Sequence, residues 1–389
     1  MIPFENTEIA FAGKSNKDLK RAHRLFKLVA SPTLVNMGTK LTDIALAIHF
    51  PIKGIVKRTI FKQFCGGESI QECDLTINQL DKYGIGTILD YSVEGKESEK
   101  DFENTADEII RTLEKAEGDP KIPFGVFKMT GIARFELLER CNDITYIISH
   151  EEQKEYNHLV ARVDKICKKA YESNTPIYID AEDSWIQDTI DRLATTMMKK
   201  YNRERAIVYN TLQMYRHDRL EHLQEAIENA REEKYFYGVK IVRGAYMEKE
   251  RERAIEKKYP SPIQPDKAST DRDYDAALEL IVKNIDICAL CAGTHNEDSS
   301  QKLVDLMEKY GVDKSNFSIY FAQLLGMSDH ISYNLAHNNY HVAKYVPYGP
   351  VKEVIPYLLR RAQENTSVAG QTTRELGLIL KEMKRRKLK

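Results

Sequence analysis

The sequence has no apolar run of the ~18 to 20 residues that a membrane-spanning helix needs. It also lacks an excess of either charge: 58 basic and 59 acidic residues give a formal net charge of −1, which argues against a nucleic-acid partner. Its six cysteines among 389 residues are irregularly spaced, which favours free thiols in a reducing compartment. The first residues show neither a signal-peptide nor a transit-peptide pattern. We therefore expect a cytoplasmic protein.

Several familiar cofactor and catalytic motifs are missing as well. Gly84 and Gly86 begin like a dinucleotide fingerprint, but Leu89 stands where a small residue should pack the helix against the strand. There is no phosphate-binding P-loop and no Gly-x-Ser-x-Gly nucleophile elbow. The histidine pairs lack the accompanying carboxylates of a zinc site, so we expect no metal.

What the sequence contains is one pattern that occurs eight times: a short β-rich apolar run, a polar turn and a longer stretch with helical periodicity. Eight such units predict an α/β fold of the (βα)8 type, a TIM-like barrel. The predicted strands cover residues 85–92, 123–130, 176–181, 206–213, 237–244, 286–293, 317–323 and 341–346.

The barrel is not expected to occupy the whole chain. The predicted parts are a helical N-terminal arm (1–80), the catalytic barrel (81–375) and a basic C-terminal tail (376–389). Within the arm, residues 19–25 and 41–48 have amphipathic helical patterns. Residues 94–100 and 260–265 are typical of loops. The basic tail is interpreted as a solvated helix end rather than a membrane or nucleic-acid anchor.

Catalytic groups of such barrels lie at the carboxyl ends of the strands. Each polar residue found there could by itself form a structural ion pair or hydrogen bond, but many of them at one rim predict a binding site. The candidates at the predicted strand ends are Asp90, Glu94, Lys128, Asp180, Glu182, Gln213, Lys240, Arg243, Tyr246, Thr294, His295, Asn296, Gln323 and Tyr345.

A second group of polar residues lies near the C-terminus. Tyr357, Arg360, Arg361 and Glu364 follow one another at the i,i+3 and i,i+4 spacing of neighbours on a helix. Two adjacent guanidiniums are suited to grip a small carboxylate through paired hydrogen bonds. A solvated face of arginine and glutamate is the alternative for this group taken alone.

Five segments, in order along the chain, together resemble the successive motifs of proline dehydrogenases. They are Lys240–Tyr246 (KIVRGAY), Gly293–Asn296 (GTHN), Phe321–Met327 (FAQLLGM), Tyr345–Pro350 (YVPYGP) and Tyr357–Asn365 (YLLRRAQEN). Their residues are most similar to those of the monofunctional, mitochondrial animal-type enzyme, so we expect no aldehyde dehydrogenase domain to follow them.

The resemblance implies a distorted (βα)8 barrel that holds FAD noncovalently, with a final helix over the active site. The implied reaction is the first step of proline catabolism: L-proline passes a hydride to flavin N5 and becomes Δ1-pyrroline-5-carboxylate. A membrane quinone would then accept the electrons, which implies peripheral contact with the inner face of a membrane. A separate pyrroline-5-carboxylate dehydrogenase would consume the product.

The resemblance also implies a role for individual residues. Asp180 and Lys240 would be catalytic, and Glu94 would gate the site by pairing with Arg360. The substrate-binding residues would be Lys128, Tyr246, Leu325, Tyr345, Tyr357, Arg360 and Arg361. The cofactor-binding residues would be Gln213, Lys240, Arg243, Gly244, Ala245, Thr294, His295, Asn296, Gln323 and Glu364.

Two departures and two alternatives accompany this interpretation. Lys240 stands where many bacterial relatives carry arginine, which keeps the charge but loses the planar fork. Tyr345 stands where hydroxyproline dehydrogenases have a smaller residue, so the tyrosine favours proline over hydroxyproline as substrate. A hydroxyproline dehydrogenase remains the nearer alternative. A noncatalytic barrel that serves as a binding scaffold is the alternative from another class.

Overall fold

The computed structural model describes residues 1–31, 53–92, 97–367 and 371–388. Eight parallel strands follow one another around a closed barrel. In chain order they are β1 (Ile85–Tyr91), β2 (Phe124–Phe127), β3 (Ile177–Ile179), β4 (Val208–Gln213), β5 (Tyr237–Val242), β6 (Cys288–Gly293), β7 (Ile319–Leu324) and β8 (Val342–Tyr348). The predicted (βα)8 fold is therefore confirmed, and each predicted strand overlaps an observed one.

Helices alternate with the strands and also occupy both ends of the chain. In chain order they are α1 (Thr7–Ala10), α2 (Asn16–Val29), α3 (Lys53–Val56), α4 (Lys62–Phe64), α5 (Asp74–Asp81), α6 (Glu99–Ala116), α7 (Phe135–Asn142), α8 (His150–Glu172), α9 (Ser184–Tyr201), α10 (Arg219–Glu233), α11 (Met247–Lys257), α12 (Lys267–Lys283), α13 (Glu297–Lys309), α14 (Asp329–His337), α15 (Val351–Ser367) and α16 (Gln371–Arg385). A π-helical turn covers Lys57–Phe61 and a 3-10 turn covers Met129–Gly131. In the ranges that the structure describes, no helix combines the length and apolar character needed to span a membrane.

Local hydrogen bonds explain where two of the longer helices begin. At the start of α2, the Ser15 hydroxyl accepts from the backbone N–H of Asp18 at 3.1 Å, and the Asp18 carboxylate accepts from the Ser15 N–H at 3.3 Å. Ser149 and Glu152 make the same reciprocal pair at the start of α8. Each pair satisfies two backbone donors that the first helical turn leaves without an internal acceptor.

Aromatic side chains from four strands fill one layer of the barrel interior. Phe124 stacks on Tyr178 with ring centroids 4.5 Å apart, and the edge of Tyr320 meets Phe124 at 4.7 Å. Tyr209 packs edge-on against Tyr178 at 5.2 Å. Because the four rings come from β2, β3, β4 and β7, they form a packed core beneath the carboxyl ends of these strands.

The chain divides into two compact units by its internal contacts. The first comprises Gly95–Ala322 together with Met1, and the second comprises Ile2–Glu94 and Gln323–Lys389. In the second unit β1 pairs with β8 in parallel, with Ile88 opposite Tyr345. The boundaries predicted at residues 80 and 375 remain predictions.

Three local expectations have different outcomes. The segment 19–25 is helical within α2, as predicted, and 260–265 has no regular element beyond an isolated bridge at Ile263. The segment 41–48 lies outside the described residues. The loop predicted for 94–100 extends too far, because Ser98 caps a helix that already begins at Glu99.

The helix that carries Arg360 and Arg361 is α15, and it is not the final helix as expected. It is followed by α16, which has buried Leu378, Ile379 and Met383 on one side. These residues form an apolar cluster with residues of α1 and α2. The charges of the C-terminal segment conceal this apolar stripe, so the sequence predicted a solvated helix end and not the buried side of the helix.

Candidate active site

Two lysines, one after β2 and one within β5, converge on a carboxylate that follows β3 in the first unit. Lys128 directly follows β2, Asp180 directly follows β3, and Lys240 lies in β5. The Nζ atom of Lys128 donates to one Asp180 oxygen at 3.0 Å, and Nζ of Lys240 donates to the other. The side chains of Lys128, Asp180 and Lys240 are 20%, 11% and 8% exposed, so this cluster is largely desolvated.

An aromatic ring supports the deeper of the two cations. The Nζ atom of Lys240 lies 5.2 Å from the centroid of the Tyr178 ring, within cation–π range. Burial raises the pKa of the Tyr178 phenol well above its usual range, so this ring is neutral. Lys240 is thus held between a carboxylate and an aromatic face, which fixes its position in the strand.

Glu182 is a second buried carboxyl group, two residues beyond Asp180. Its side-chain oxygens accept hydrogen bonds from the backbone N–H of Thr130 at 3.0 Å and from the Thr130 hydroxyl. Burial raises the pKa of Glu182 to about 7, although the Thr130 hydrogen bonds and the charge of Lys128 act in the opposite direction. Glu182 therefore changes its charge within the neutral pH range, beside the lysine cluster.

Gln213 joins two of the loops at this end of the barrel. Its amide nitrogen donates to the backbone carbonyl of Glu182 at 2.7 Å, and its amide oxygen accepts from the backbone N–H of Ala245 at 3.2 Å. Gln213 is only 3% exposed, so these bonds are shielded from water. Its position at the end of β4 thus fixes the β3–α9 loop relative to the β5–α11 loop.

The same two loops are joined again at the helix starts behind them. The Lys249 ammonium pairs with the Asp183 carboxylate at 2.8 Å. The next residue, Glu250, accepts from the backbone N–H and the hydroxyl of Ser184 at 2.7 and 2.6 Å. A carboxylate at the N-terminus of α9 is stabilised by the helix dipole and by the otherwise unsatisfied N–H. Burial nevertheless raises the pKa of Glu250, against the effect of the Ser184 hydrogen bonds.

Arg243 organises the ends of β5 and β6. Its guanidinium donates to the Asp271 carboxylate at 2.7 Å, to the Thr294 hydroxyl at 2.6 Å and to the Ser299 hydroxyl at 2.9 Å. It also lies over the Tyr274 ring, 4.5 Å from the centroid. The predicted proximity of Arg243 and Thr294 is therefore present, whereas its partners Asp271 and Ser299 were not predicted.

Two predicted cofactor residues have local structural functions that are visible in the fold. Asn296 caps α13, since its side-chain oxygen accepts from the Ser299 N–H at 3.0 Å. Gly244 has φ of +142°, and an added Cβ would lie 2.5 Å from the ring of Tyr215. Glycine is required at this position by the backbone and by its neighbour. Close approach of a cofactor would be an additional reason.

The second unit contains the predicted residues of β7, β8 and α15. The backbone N–H of Leu325 donates to the carbonyl of Tyr345 at 2.9 Å, which brings together two residues predicted to surround the substrate ring. Gln323 is 2% exposed, and its side-chain oxygen accepts from the Ser332 hydroxyl at 2.7 Å.

The aromatic and cationic side chains of α15 are neighbours, as their spacing predicts. The guanidinium carbon of Arg361 lies 5.2 Å from the centroid of the Tyr357 ring. Tyr357 is buried among Phe61, Phe64 and other apolar residues, and both Arg360 and Arg361 are partly exposed. The side chain of Glu364 and the whole of Glu94 lie outside the described residues, and so does the predicted Glu94–Arg360 gate.

The structure thus brings the predicted residues together in separate groups within each unit. The first unit joins Lys128, Asp180 and Lys240 in one cluster, links Gln213 to Ala245 and links Arg243 to Thr294. Tyr246 directly precedes α11, and His295 lies two residues after β6, next to Asn296. Sequence reasoning placed Glu182 at a strand end but gave it no role. Ser184 and Glu250 were missed, because their pairing depends on two helices that are distant in sequence.

The profile of the proline dehydrogenase family matches residues 73–374 of this chain. The protein named "Proline dehydrogenase 1, mitochondrial" from Dictyostelium discoideum is 32% identical over 98% of this chain and 74% of its own length. The "Hydroxyproline dehydrogenase" of Xenopus laevis is 30% identical over 97% of this chain and 88% of its own length.

Among solved structures, proline utilization A from Bdellovibrio bacteriovorus, inactivated by N-propargylglycine, has a similar fold. The alignment has a TM-score of 0.73 at 21% identity and covers 93% of this chain. The chain spans about two fifths of that larger protein, since it covers 38% of its length. At this identity the likeness concerns the fold alone.

Proposed function

The chain belongs to the proline dehydrogenase family, and we propose that it oxidises L-proline to Δ1-pyrroline-5-carboxylate with FAD as its cofactor. The observation that carries the proposal is the buried cluster of Lys128, Asp180 and Lys240. Two ammonium groups and one carboxylate together have one net positive charge in a largely dry environment. Such a cluster favours an anionic ligand or a reaction in which negative charge develops nearby.

The residues at the strand ends fit a flavin in the chemistry of their donors. The pyrophosphate and ring carbonyls of FAD are hydrogen-bond acceptors. Gln213 at the end of β4, Lys240 within β5 and Arg243 directly after β5 present amide and cationic donors. We propose that these three residues hold the cofactor together with Gly244, Ala245, Thr294, His295, Asn296, Gln323 and Glu364. When bound, FAD would accept the hydride at flavin N5.

The overall reaction removes a hydride from the ring carbon next to nitrogen and a proton from the nitrogen, so that a C=N bond forms. Asp180 would keep Lys128 and Lys240 at fixed positions, so that their charges need no rearrangement as the reaction proceeds. We propose Lys240 for stabilising negative charge that develops on the cofactor. For Lys128 we propose a role in neutralising the substrate carboxylate.

In the second unit, Arg360 and Arg361 are the groups that we propose for binding the substrate carboxylate, as the family resemblance implies. Arg361 is held over the Tyr357 ring, which orients its guanidinium and lowers the entropy lost on binding. Leu325 and Tyr345 would enclose the ring of proline, and the family resemblance gives Tyr246 a substrate-binding role as well. A buried tyrosine at position 345 leaves less room for a ring hydroxyl, which favours proline over hydroxyproline.

The experiment is an anaerobic titration of the purified protein, followed by flavin absorbance, with L-proline and trans-4-hydroxy-L-proline in parallel. We expect proline to bleach the flavin bands and hydroxyproline to have little effect. Bleaching mainly by hydroxyproline would overturn the specificity and keep the reaction class. Protein without flavin, even after incubation with FAD, would leave a binding scaffold as the better description.

Two variants of α15 test the carboxylate site within the same experiment. Arg361→Met should raise the proline concentration for half-bleaching about 10- to 100-fold, because a charge-assisted hydrogen bond contributes about 1.5–3 kcal/mol. Lys352→Met is the matched control, since Lys352 is an exposed cation of the same helix. Equal effects in both variants would contradict a specific role for Arg361.

For the fate of the electrons and product, we propose a membrane quinone as acceptor and a separate pyrroline-5-carboxylate dehydrogenase as the next enzyme. The acceptor, the next enzyme and a peripheral contact at the inner face of the membrane rest on the family resemblance, and the cytoplasmic location remains a proposal from the sequence. Turnover with proline in the presence of a soluble quinone analogue, compared with oxygen alone, tests the acceptor. A rate that does not depend on the quinone would contradict it.

A further inference from the structure

A lysine that the proposed reaction does not use lies fully buried beneath the loop between β7 and α14. Lys344 is in the middle of β8, and its side chain is 0% exposed. Its Nζ atom donates to the backbone carbonyl of Met327 at 2.5 Å and contacts that of Leu324 at 3.4 Å. The same atom pairs with the Asp329 carboxylate at 3.0 Å. All three acceptors belong to the β7–α14 loop or to the residues that border it.

The contacts of Lys344 surround Leu325, one of the two residues proposed to enclose the substrate ring. Leu324, the last residue of β7, precedes it, and Met327 follows two residues later. The Leu325 N–H itself donates to the carbonyl of Tyr345 at 2.9 Å. Two consecutive residues of β8, Lys344 and Tyr345, therefore hold this loop by its backbone. The position of Leu325 relative to Tyr345 is set by these bonds.

The buried positive charge of Lys344 is balanced by the Asp329 carboxylate, which also pairs with Lys14. Burial lowers the pKa of Lys344, while the Asp329 carboxylate acts in the opposite direction. Burial by itself would raise the pKa of Asp329, and the ammonium groups of Lys14 and Lys344 instead hold it at about 2. A methionine of similar length would fill the same space without this desolvation cost. What the ammonium adds is three directed donors for acceptors at defined positions.

The loop needs such directed contacts because its backbone is strained. Gly326 has φ of +79° and Ser328 has φ of +50°, a conformation that side-chain-bearing residues rarely adopt. The Gln63 amide donates to the Gly326 carbonyl at 2.9 Å, and the Glu375 carboxylate accepts from the Ser328 N–H. Strained backbone persists only where its surroundings fix it, and here Lys344 contacts the carbonyls on either side of the Leu325–Gly326 pair.

We propose that Lys344 is a positioning residue that fixes Leu325 against Tyr345 and thereby determines which ring size the substrate pocket accepts. This inference rests on the proposed function, since it takes Leu325 and Tyr345 as the wall of the substrate ring. Lys344 acts through the loop and is not proposed to touch the substrate.

The test compares Lys344→Met with wild-type holoenzyme on ring carboxylates of different size. L-Azetidine-2-carboxylate, L-proline and L-pipecolate have four-, five- and six-membered rings, and acetate represents the carboxylate alone. Binding is measured by calorimetry and turnover by steady-state kinetics. We expect the preference for proline over pipecolate to fall about tenfold, mainly through KM, because one methylene in a fitted pocket gives discrimination of that order. Acetate binding should change less than about twofold, since it does not reach the ring wall.

Lys14→Met is the matched control. It removes the outer partner of Asp329, 3.2 Å away, without touching the loop carbonyls. We expect it to lower the unfolding temperature and leave the ring-size preference unchanged. An equal change for proline, pipecolate and acetate in Lys344→Met, or the same preference shift in Lys14→Met, would overturn the positioning role and leave a structural one.

Two further variants keep the test decisive if Lys344→Met does not fold, and show whether Lys344 acts through Leu325. Lys344→Met combined with Asp329→Asn removes both charges together, so that no lone carboxylate is buried, and should show the same preference shift. Leu325→Ala by itself should lower the preference for proline over pipecolate, and adding Lys344→Met to it should change this preference little further. Fully additive shifts would overturn the proposal. Wild-type protein that does not oxidise proline would instead refute the proposed function, while the calorimetric preference would still report on Lys344.

Discussion

Replacing Glu182 by glutamine should stabilise the protein at alkaline pH and have little effect at acidic pH. The carboxyl group is buried beside Lys128 and accepts two hydrogen bonds from Thr130, one of them from the backbone at 3.0 Å. In Glu182→Gln the amide oxygen can keep the backbone bond, and the amide nitrogen can donate to the Thr130 hydroxyl. The substitution therefore removes the ionisation of this group while its hydrogen bonds can be preserved.

The size and sign of the effect follow from linkage. Burial raises the pKa of Glu182 from 4.5 to about 7 in the folded protein. Between these pH values the folded state holds a proton that the unfolded chain has lost, so this group's contribution to stability falls as the pH rises. One pKa unit corresponds to about 1.4 kcal/mol, which gives about 3 kcal/mol for the whole change. The Glu182→Gln variant has no ionisable group at this position and therefore does not lose this stability as the pH rises.

The assay is urea unfolding of wild type and Glu182→Gln at pH 5, 6, 7 and 8, with the same excess of the proposed cofactor FAD throughout, so that any stabilisation by FAD enters both proteins. The variant should be within about 1 kcal/mol of wild type at pH 5 and more stable by about 3 kcal/mol at pH 8. Glu204→Gln is the control, because Glu204 is exposed in the turn before β4. A difference between wild type and Glu182→Gln that does not change with pH would refute the reasoning.

Two paired substitutions test other parts of the site. In urea unfolding, Gly326→Ala should destabilise the protein by about 2 kcal/mol more than Gly311→Ala. Both glycines have positive φ, but only at position 326 would an added Cβ meet a backbone oxygen of α4, at 2.1 Å. Equal losses of stability in the two variants would contradict this reasoning. Glu250→Gln should lower the free energy of unfolding by about 1–2 kcal/mol. It should also shift the fluorescence emission of Trp185, the sole tryptophan, because the ammonium of the adjacent Lys249 lies 5.2 Å from the Trp185 ring centroid. The exposed Glu248→Gln should leave both unchanged, and an unshifted spectrum in Glu250→Gln would indicate that the two helix starts are not coupled.

The fold was predictable because its signal is local and repeated. Eight apolar runs separated by helical stretches allow few arrangements other than a (βα)8 barrel, and an error of two or three residues at a strand end does not change that conclusion. The second strand illustrates the limit: the prediction covered 123–130, whereas β2 ends at Phe127 and a 3-10 turn follows. That turn holds Thr130, the partner of Glu182, so the detail lost at the boundary is chemically relevant.

The candidate site was predictable in its residue types but not in its pairings. The sequence placed Lys128 and Asp180 at the carboxyl ends of consecutive predicted strands, and the structure joins them by a hydrogen bond of 3.0 Å. That Lys240 donates to the same carboxylate depends on the depth of each residue in its strand, and β5 extends two residues beyond Lys240. A hydrophobic pattern determines which face of a strand a residue occupies, but it contains no information on which of two carboxylates a lysine will reach. Lys344 was missed for a related reason, because a lysine in an apolar strand is normally interpreted as a surface residue. Its ammonium group can be buried only because the Met327 carbonyl of the loop and the Asp329 carboxylate accept its hydrogen bonds. Positioning residues of this kind emerge from the geometry of buried polar groups, where each donor must have an acceptor.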